Sequence, residues 1–378
     1  MLLLDEPKDI STCESYLKSS WLRSRPLAEY SEPMGTSVFI AHPNLPHSSS
    51  EKEFPHLAAS LESLGLQVTQ DLSSAKILVA INHSPSHFKE TRNHKKARVL
   101  LRLEPRATYP IQYLHRISQQ YNLVLTPGSL REEAQRIMWP YFYQANPLRP
   151  SHSAPTLINL DKEFLLGSNL KAWSARPYLL TLVASNKVSP TRHSNYYLRR
   201  RAVKKLSPYG LLTFGEMWDA SLIVKFRERI RIAWGSLKSG YFPNPFSLAE
   251  GLFTKFPQVE GQVADKHAII QKSKYSLVIE NDNFYASEKL IDALVGGSLP
   301  FYIGGNLEEV GIDSQIFRRV NTFEQVLETI NAMTQNEIEN WRKNILSFVN
   351  SADFIKSWSG EMVYQNIASV ISDAFRAK

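Results

Sequence analysis

Cysteine is almost absent from the sequence, which has only Cys13 among its 378 residues. One cysteine cannot form an internal disulfide, and this is typical of proteins from a reducing compartment. No apolar run reaches the length of about 18 residues that a membrane-spanning helix needs. The opening residues, MLLLDEPKDI, lack the basic segment and the apolar length of a secretory signal peptide. We therefore expect a cytoplasmic protein.

Low-complexity tracts and short internal repeats are also missing, and the composition is that of a folded protein. Hydrophobic residues make up 43% of the chain and charged residues 21%, which excludes a largely disordered polypeptide. A chain of 378 residues is longer than a single hydrophobic core usually supports. We therefore predict two domains.

Basic residues are concentrated in one window of the sequence. Residues 192–238 contain 11 Lys and Arg against three acids, and this local excess of +8 equals the net charge of the whole chain. A positive field of this kind attracts phosphates of nucleotides, nucleic acids or anionic membranes, although a solvated helix face is the common alternative. No aromatic platform for single strands and no helix-turn-helix pattern accompanies it, so we expect no nucleic-acid partner. Peripheral membrane contact through this window is a hypothesis.

Short runs rich in Val, Ile and Leu alternate with helical patterns along most of the chain. This alternation predicts parallel, doubly wound α/β sheets. The first predicted domain spans residues 1–150, with strand-like runs at 37–42, 75–82, 97–104 and 121–128. A Pro-rich interval precedes a linker at 151–175, and the alternation resumes over a second domain at 176–350. The remaining residues, 351–378, form a helix that could return to the first domain.

The segment SLVIENDNFYASEKLIDALVGGSLPFYIGG, residues 276–305, places a group of polar residues between two apolar stretches. It predicts a buried strand, a polar loop, a helix that Ser287 caps, and a second strand after Gly296 and Gly297. Glu288 and Lys289 fall in the first turn of that helix. A helix N-terminus beside a cation is a site for anions, phosphates above all. Taken one at a time, each of these residues also has an ordinary structural explanation.

The same segment resembles the central motif of the α-1,3/4-fucosyltransferase family, glycosyltransferase family ten. The matching residues are Glu280, Asn281, Tyr285, Ser287, Glu288, Lys289, Asp292, Ala293, Pro300, Tyr302 and Gly304. Shorter stretches upstream also match, through Ser185, Asn186, Arg192, Gly215, Trp218, Gly261, Asp265 and Lys266. One departure is Phe214, where the family has Tyr. The resemblance is strongest over residues 176–305.

The resemblance implies a fold of the GT-B type, with two Rossmann-like domains facing each other across a cleft. It implies inverting transfer of fucose from GDP-fucose to a glycan or glycolipid hydroxyl, with the acceptor on the first domain and the GDP-sugar on the second. The residues that it assigns to the nucleotide sugar are Asn186, Arg192, Glu280, Asn281, Tyr285, Ser287, Glu288 and Lys289. Preorganised cations such as Arg192 and Lys289 suit the negative charge that develops on a departing diphosphate.

An inverting displacement also needs a base that takes the proton from the acceptor hydroxyl. Glu104 follows a buried strand of the first domain, and the family has a Glu at a similar place. A structural salt bridge from Glu104 to Arg102 or Arg106 is the alternative.

The Asp-x-Asp pair that chelates a cation in metal-dependent nucleotide-sugar transferases is missing, and Asn281-Asp282-Asn283 is the nearest imitation. We therefore expect no metal and no cofactor besides the donor substrate. Two alternatives to a fucosyltransferase stay open. One is a transferase for another GDP-hexose, and the other is a non-catalytic nucleotide- or carbohydrate-binding protein of the same fold.

Overall fold

The computed structural model describes residues 35–43, 49–91, 96–126, 135–136, 170–192, 194–238, 240–263, 265–284, 286–308, 312–354 and 360–376. Cys13, Tyr285 and most of the predicted linker at 151–175 lie outside these described residues. The predicted domain boundaries therefore stay predictions.

The first half of the chain forms a six-stranded sheet with the order β2-β1-β3-β4-β5-β6, and every neighbouring pair is parallel. Its strands are β1 Ser37–Ala41, β2 Gln67–Val68, β3 Ile77–Ile81, β4 Ala97–Leu101, β5 Leu123–Thr126 and β6 Gln135–Arg136. The helices are α1 Pro55–Ser63, α2 Pro85–Thr91 and α3 His115–Ser118, and a 3₁₀ turn spans Pro110–Tyr113. All five residues of β3 are buried, as expected of a parallel strand covered on both faces.

The second half forms a five-stranded parallel sheet with the order β11-β10-β9-β7-β8. Its strands are β7 Tyr178–Val183, β8 Leu211–Phe214, β9 Ser273–Ile279, β10 Leu299–Ile303 and β11 Arg318–Arg319. Its helices are α4 Leu170–Ser174, α5 Tyr196–Leu206, α6 Leu222–Lys238, α7 Pro245–Ala249, α8 Lys266–Gln271, α9 Glu288–Val295, α10 Phe323–Ala332 and α11 Gln335–Val349, with 3₁₀ turns at Ser207–Tyr209 and Ser314–Ile316. The predicted pair of doubly wound α/β sheets is therefore confirmed.

The last helix, α12 Gly360–Arg376, belongs to the first core although it follows the second sheet in the chain. It packs along α1, and Tyr364, Ile367 and Ile371 are buried in the cluster that contains Val38, Val79 and other residues of the first sheet. The separate second core holds Leu277, Ile291, Phe301 and Trp341. The described part of the chain therefore returns to the first core after it has formed the second sheet. Within the described residues, no helix is both long enough and apolar enough to cross a membrane.

The first sheet differs from the sequence prediction at the end of β4. The apolar run continues to Glu104, but the strand ends at Leu101. Beyond it, the backbone nitrogens of Leu103 and Glu104 donate to the side-chain oxygen of Asn82, at 3.0 and 2.9 Å. Because a side chain replaces a neighbouring strand as the acceptor, Glu104 lies in a loop three residues after the strand.

Candidate functional site

A cleft with a volume of about 250 Å³ opens at the carboxyl ends of β7 and β9 in the second sheet. These two strands are neighbours, although the chain goes from β7 to β8 on the other side before it returns to β9. That reversal is the topological switch point, where open α/β sheets bind their ligands. Residues of α5, α8 and α9 form the walls on the same side, and Glu104, Pro105 and Thr108 of the first domain close the cleft.

The polar loop after β9 forms one side of the cleft and is organised by Glu280. This carboxylate is fully buried. Its Oε1 accepts from the backbone nitrogen of Ser287 at 2.9 Å, and its Oε2 accepts from the Ser287 hydroxyl at 2.7 Å. Glu280 does not itself line the cleft, whereas Asn281 and Ser287 do. Its role is therefore to hold the start of α9 against the end of β9.

Ser287 occupies the N-cap position of α9, but its side chain makes no capping hydrogen bond. The prediction that it caps the helix is therefore wrong. The physical reason is competition, because the hydroxyl donates to Glu280 and accepts from the ammonium of Lys289 at 2.7 Å. A charged ammonium is a stronger donor to the hydroxyl oxygen than a neutral backbone amide is.

Charged residues at and around the start of α9 form a cluster of ion pairs. The Lys289 ammonium is 3.5 Å from Glu280 and 3.9 Å from Glu288, and the Lys266 ammonium is 2.6 Å from Asp292. Burial alone would raise the pKa of Glu288, but the cations of Lys289 and Lys266 lower it below its ordinary value. Burial alone would lower the pKa of Lys289, but Glu288 and Glu280 raise it. Both groups are therefore held in their charged forms.

A second cation of the cleft comes from Arg199 on α5, which the sequence analysis did not single out. Arg199 is buried and lines the cleft. One guanidinium nitrogen donates to the carbonyl of Ile279 at 2.8 Å and to the side-chain oxygen of Asn281 at 2.7 Å, and the group stacks on the Tyr196 ring at 4.8 Å. The sequence did contain a signal for the buried position of Arg199, because this residue falls on the same helical face as Tyr196, Val203 and Leu206.

Two described residues assigned through the resemblance, Asn186 and Arg192, are not brought to the cleft wall. Arg192 is exposed and is not among the residues that line the cleft. Asn186 lies between two residues that do, Ser185 and Lys187, and its amide donates to the Met217 carbonyl at 3.3 Å. Tyr285 is outside the described residues. The residues that the structure does bring together are Glu104, Asn281, Ser287, Glu288 and Lys289, with Glu280 directly behind them.

The strand ends under the cleft approach each other closely at Gly215. This residue has a φ of 141°, and a side chain there would collide with the carbonyl of Ala184 at the end of β7. The same carbonyl accepts from the indole nitrogen of Trp218 at 2.6 Å. Gly215 and Trp218 of the resemblance therefore have a structural role in keeping the ends of β7 and β8 together.

Glu104 is held by its main chain. Its carbonyl accepts from the Gln112 amide at 2.7 Å and from the Tyr113 hydroxyl at 3.0 Å. Two later residues of the same loop contact the second domain. The backbone nitrogen of Ala107 donates to Asp282, and the Thr108 hydroxyl lies 3.1 Å from the Tyr196 hydroxyl. Glu104, which lines the cleft, therefore lies on a loop that is fixed against the second domain. Among the described residues, no group of three or more His, Cys, Asp and Glu side chains could hold a metal ion.

Comparison with known proteins agrees with this geometry at the level of fold. No family model matches the chain, and no curated protein matches it by sequence. A crystal structure of an α1,3-fucosyltransferase is similar, with 15% identity, a TM-score of 0.51 and 92% of each chain covered. The structure of an α1,3-fucosyltransferase with GDP has 13% identity, a TM-score of 0.50 and 95% coverage of each chain.

Two further structures are similar as well. A glycosyltransferase from Rickettsia africae ESF-5 has 12% identity and a TM-score of 0.51, over 92% of this chain and all of that one. Anabaena HepE in complex with UDP and glucose has 10% identity and a TM-score of 0.51, over 90% of this chain and all of that one. The chain has the GT-B fold. The two sheets of its GT-B architecture place the loop of Glu104 opposite the switch point of the second sheet, which confirms the fold class predicted from the sequence.

Proposed function

We propose that the protein is an inverting, metal-independent glycosyltransferase that moves fucose from GDP-fucose to a hydroxyl of a glycan or glycolipid. The observation that carries the proposal is the position of the central motif. Its residues Asn281, Ser287, Glu288 and Lys289 line one cleft at the switch point, and Glu104 lines the same cleft from the other domain. The structures that share the fold, some of them determined with nucleotides or nucleotide sugars, support a nucleotide-sugar donor.

Lys289 and Arg199 supply the positive charge that a departing diphosphate requires. Arg199 is buried and Lys289 is partly buried, and both are fixed by hydrogen bonds or ion pairs before any ligand arrives. Preorganised cations in a site of low dielectric stabilise charge that develops in the transition state. In the proposed reaction, the bond between the sugar C1 and the diphosphate oxygen breaks and the electron pair leaves with GDP.

Glu104 acts as the base in this proposal. The acceptor hydroxyl loses its proton to the carboxylate while its oxygen forms the new bond to C1 from the face opposite the diphosphate. A base must stand across the cleft from the cations for that geometry, and Glu104 and Lys289 lie on different domains of the same cleft. Glu288 is suited to accept hydrogen bonds from hydroxyl or amide groups of the nucleoside, because its lowered pKa keeps it ionised.

None of the described cleft residues is assigned to the sugar, so a transferase for another GDP-hexose is the first alternative. A non-catalytic protein that binds nucleotides or carbohydrates is the second. One experiment separates all three: the protein is incubated with GDP-fucose, another GDP-hexose and UDP-glucose on a glycan array, with and without a chelator, and released nucleotide is measured. We expect GDP release from GDP-fucose that the chelator does not change. Preference for a different donor would favour the first alternative, and binding without release on any acceptor would favour the second.

A further inference from the structure

Helix α6, Leu222–Lys238, packs on the protein with its polar side. Lys225 is its buried side chain, and the ammonium donates to the carbonyl of Thr254 at 3.4 Å. Arg229 donates to the carbonyls of Leu248 and Glu250, at 2.6 and 3.0 Å. These backbone carbonyls belong to the segment around α7, so hydrogen bonds from two cations attach the helix there.

Most of the large apolar residues of the same helix are exposed. Ile223 is 80% exposed and Trp234 is 60% exposed. Together with Phe226, Ile230 and Leu237, which are also exposed, they lie within an arc of about 80° on the helix surface, since successive residues turn by about 100°. We call these five side chains the docking face. Among the residues that the structure describes, none covers it, and this reverses the usual orientation of an amphipathic helix on a globular protein.

Cations border the docking face on one side. Arg227, Arg231 and Lys238 are exposed and follow the apolar arc around the helix. The helix has one acid, Glu228, which lies towards the packed side and is bound by Arg231 at 2.6 Å. The Lys238 ammonium lies 5.3 Å from the centre of the Trp234 ring. An aromatic and aliphatic face with cations along its border is the pattern of helices that lie in the interface of an anionic bilayer.

Exposed aromatic residues continue beyond the helix. Phe242, Phe246 and Phe253, in and beside α7, are each about four-fifths exposed or more. The same segment provides the carbonyls that hold Arg229. Exposed apolar surface of this extent is uncommon on a monomeric soluble protein and marks a surface that is covered in use.

We propose that α6 docks the protein on an anionic lipid surface, with the docking face in the acyl boundary and its cations on the lipid phosphates. Charge decides between a bilayer and a second copy of this chain. Antiparallel self-association, about a twofold axis perpendicular to the helix, would pair the face with itself and would bring Arg227, Arg231 and Lys238 beside the same cations of the copy. An anionic headgroup layer instead complements them.

The docking face is connected to the cleft through a short series of contacts. Arg229 binds the carbonyl of Glu250, whose carboxylate accepts from Arg200 at 2.7 Å. Arg200 donates in turn to the carbonyl of Lys187 at 3.0 Å, and Lys187 lines the cleft. An enzyme docked through α6 therefore holds its cleft at a fixed position relative to the lipid. Delivery of a glycolipid acceptor rests on the proposed function, whereas lipid docking does not.

The test is co-sedimentation of the full chain with vesicles of phosphatidylcholine and phosphatidylserine in a three-to-one ratio, compared with pure phosphatidylcholine. We expect binding that requires phosphatidylserine and weakens with salt. Arg227→Gln, Arg231→Gln and Lys238→Gln together should lower the partition coefficient at least about twentyfold at low salt, since Arg227 and Lys238 each contribute roughly a factor of five near the surface and Arg231 is partly neutralised by Glu228. Ile223→Ser with Trp234→Ser should abolish binding.

Matched controls are Lys343→Gln, an exposed lysine on α11, and Tyr209→Ser, an exposed aromatic on another element. Both should bind as the wild type does. A blue shift of tryptophan emission on vesicle addition, absent in Trp234→Phe, gives a second readout that does not depend on activity. The proposal is overturned if the wild type does not sediment with anionic vesicles, or if the α6 variants bind as well as the controls. It is also overturned if the wild type is a dimer that the α6 variants turn into monomers, because the face is then an interface between copies.

Discussion

The carboxylate of Asp282 accepts a hydrogen bond from the backbone nitrogen of Ala107 at 3.4 Å, and this contact joins the loops after β9 and β4 across the two domains. The Ser189 hydroxyl donates to the carbonyl of the same Ala107 at 2.6 Å. Ala107 is thus bound on both sides by the second domain. Because Glu104 lies on the same loop, its position opposite the donor residues depends on these contacts.

Asp282 makes the stability of this arrangement depend on pH. Burial raises its pKa from 3.8 to about 6, although the backbone hydrogen bonds from Phe284 and Ala107 act in the opposite direction. The folded protein therefore keeps the proton to a higher pH than the unfolded chain does. The contribution of this group to stability is complete below pH 3.8 and is lost as the pH rises through about 6.

We expect Asp282→Asn to remove that dependence. Between about pH 4 and pH 6, the group lowers the unfolding free energy of the wild type by up to roughly 3 kcal/mol. The measurement is urea unfolding across this range, and the readout is the slope with pH, since the amide also loses one hydrogen bond at every pH. Asp353→Asn, which removes an exposed carboxylate, is the control. Parallel pH profiles for wild type and Asp282→Asn would contradict the prediction.

Glu104→Gln tests the proposed base without changing the shape of the cleft. We expect kcat to fall by about 10²- to 10⁴-fold, the range that a general base contributes. GDP affinity, measured by calorimetry, should stay within about twofold because the donor residues lie on the other domain. Glu260→Gln, an exposed acid outside the cleft, should leave both quantities unchanged. A Glu104→Gln enzyme with full turnover would assign the base to another group.

The sequence was sufficient for the fold class because central strands such as β3 and β10 are continuous apolar runs, typical of a parallel sheet covered on both faces, whereas the short edge strand β11 carries no such signal. The sequence was less informative where a polar side chain replaces the usual hydrogen-bond partner of a strand or a helix end. Asn82 ends β4 before the apolar run ends, and Ser287 binds Glu280 rather than the helix. The periodicity of α6 likewise reveals two faces but not which one packs, because the attachment through Lys225 and Arg229 uses carbonyls distant in sequence.

Lys289→Met removes the cation at the start of α9. We expect GDP affinity to fall at least tenfold, since removing one partner of a desolvated charge pair costs about 2 kcal/mol or more. The melting temperature should fall as well, because Glu280 and Glu288 lose their counter-charge in a buried place. Lys272→Met, at the exposed end of α8, is the matched control. Unchanged GDP affinity in a folded Lys289→Met protein would remove Lys289 from the donor site.

The motif match and the geometry assign different arginines to the donor site. Arg192 matches the family pattern but is exposed and away from the cleft wall, whereas Arg199 lines the cleft and holds Asn281. From the geometry, we expect Arg199→Lys to weaken GDP binding about tenfold or more, because lysine cannot reproduce a planar guanidinium with several donors. Arg192→Gln should change it by less than about twofold. The reverse ranking in calorimetry would support the role that the resemblance gives to Arg192.

Glu280 is fully buried behind the cleft and acts on the donor site through the residues that it positions. Glu280→Gln keeps an acceptor for the backbone nitrogen of Ser287 but removes the charge that lies 3.5 Å from Lys289. We expect the free energy of unfolding of the variant to fall by about 1–3 kcal/mol, because the Lys289 ammonium loses a buried carboxylate that balances its charge. GDP affinity should fall with it, because Lys289 then pairs only with Glu288.

A double-mutant cycle with Lys289→Met distinguishes positioning from a general loss of stability. If Glu280 acts through Lys289, its replacement should weaken GDP binding much less when Lys289 is already Met, and the two effects should be clearly non-additive. The coupling is read in GDP affinity rather than in the melting temperature, which both changes lower in any case. Additive losses of affinity would mean that Glu280 contributes to the donor site independently of Lys289, for example through Asn281, the residue that follows it.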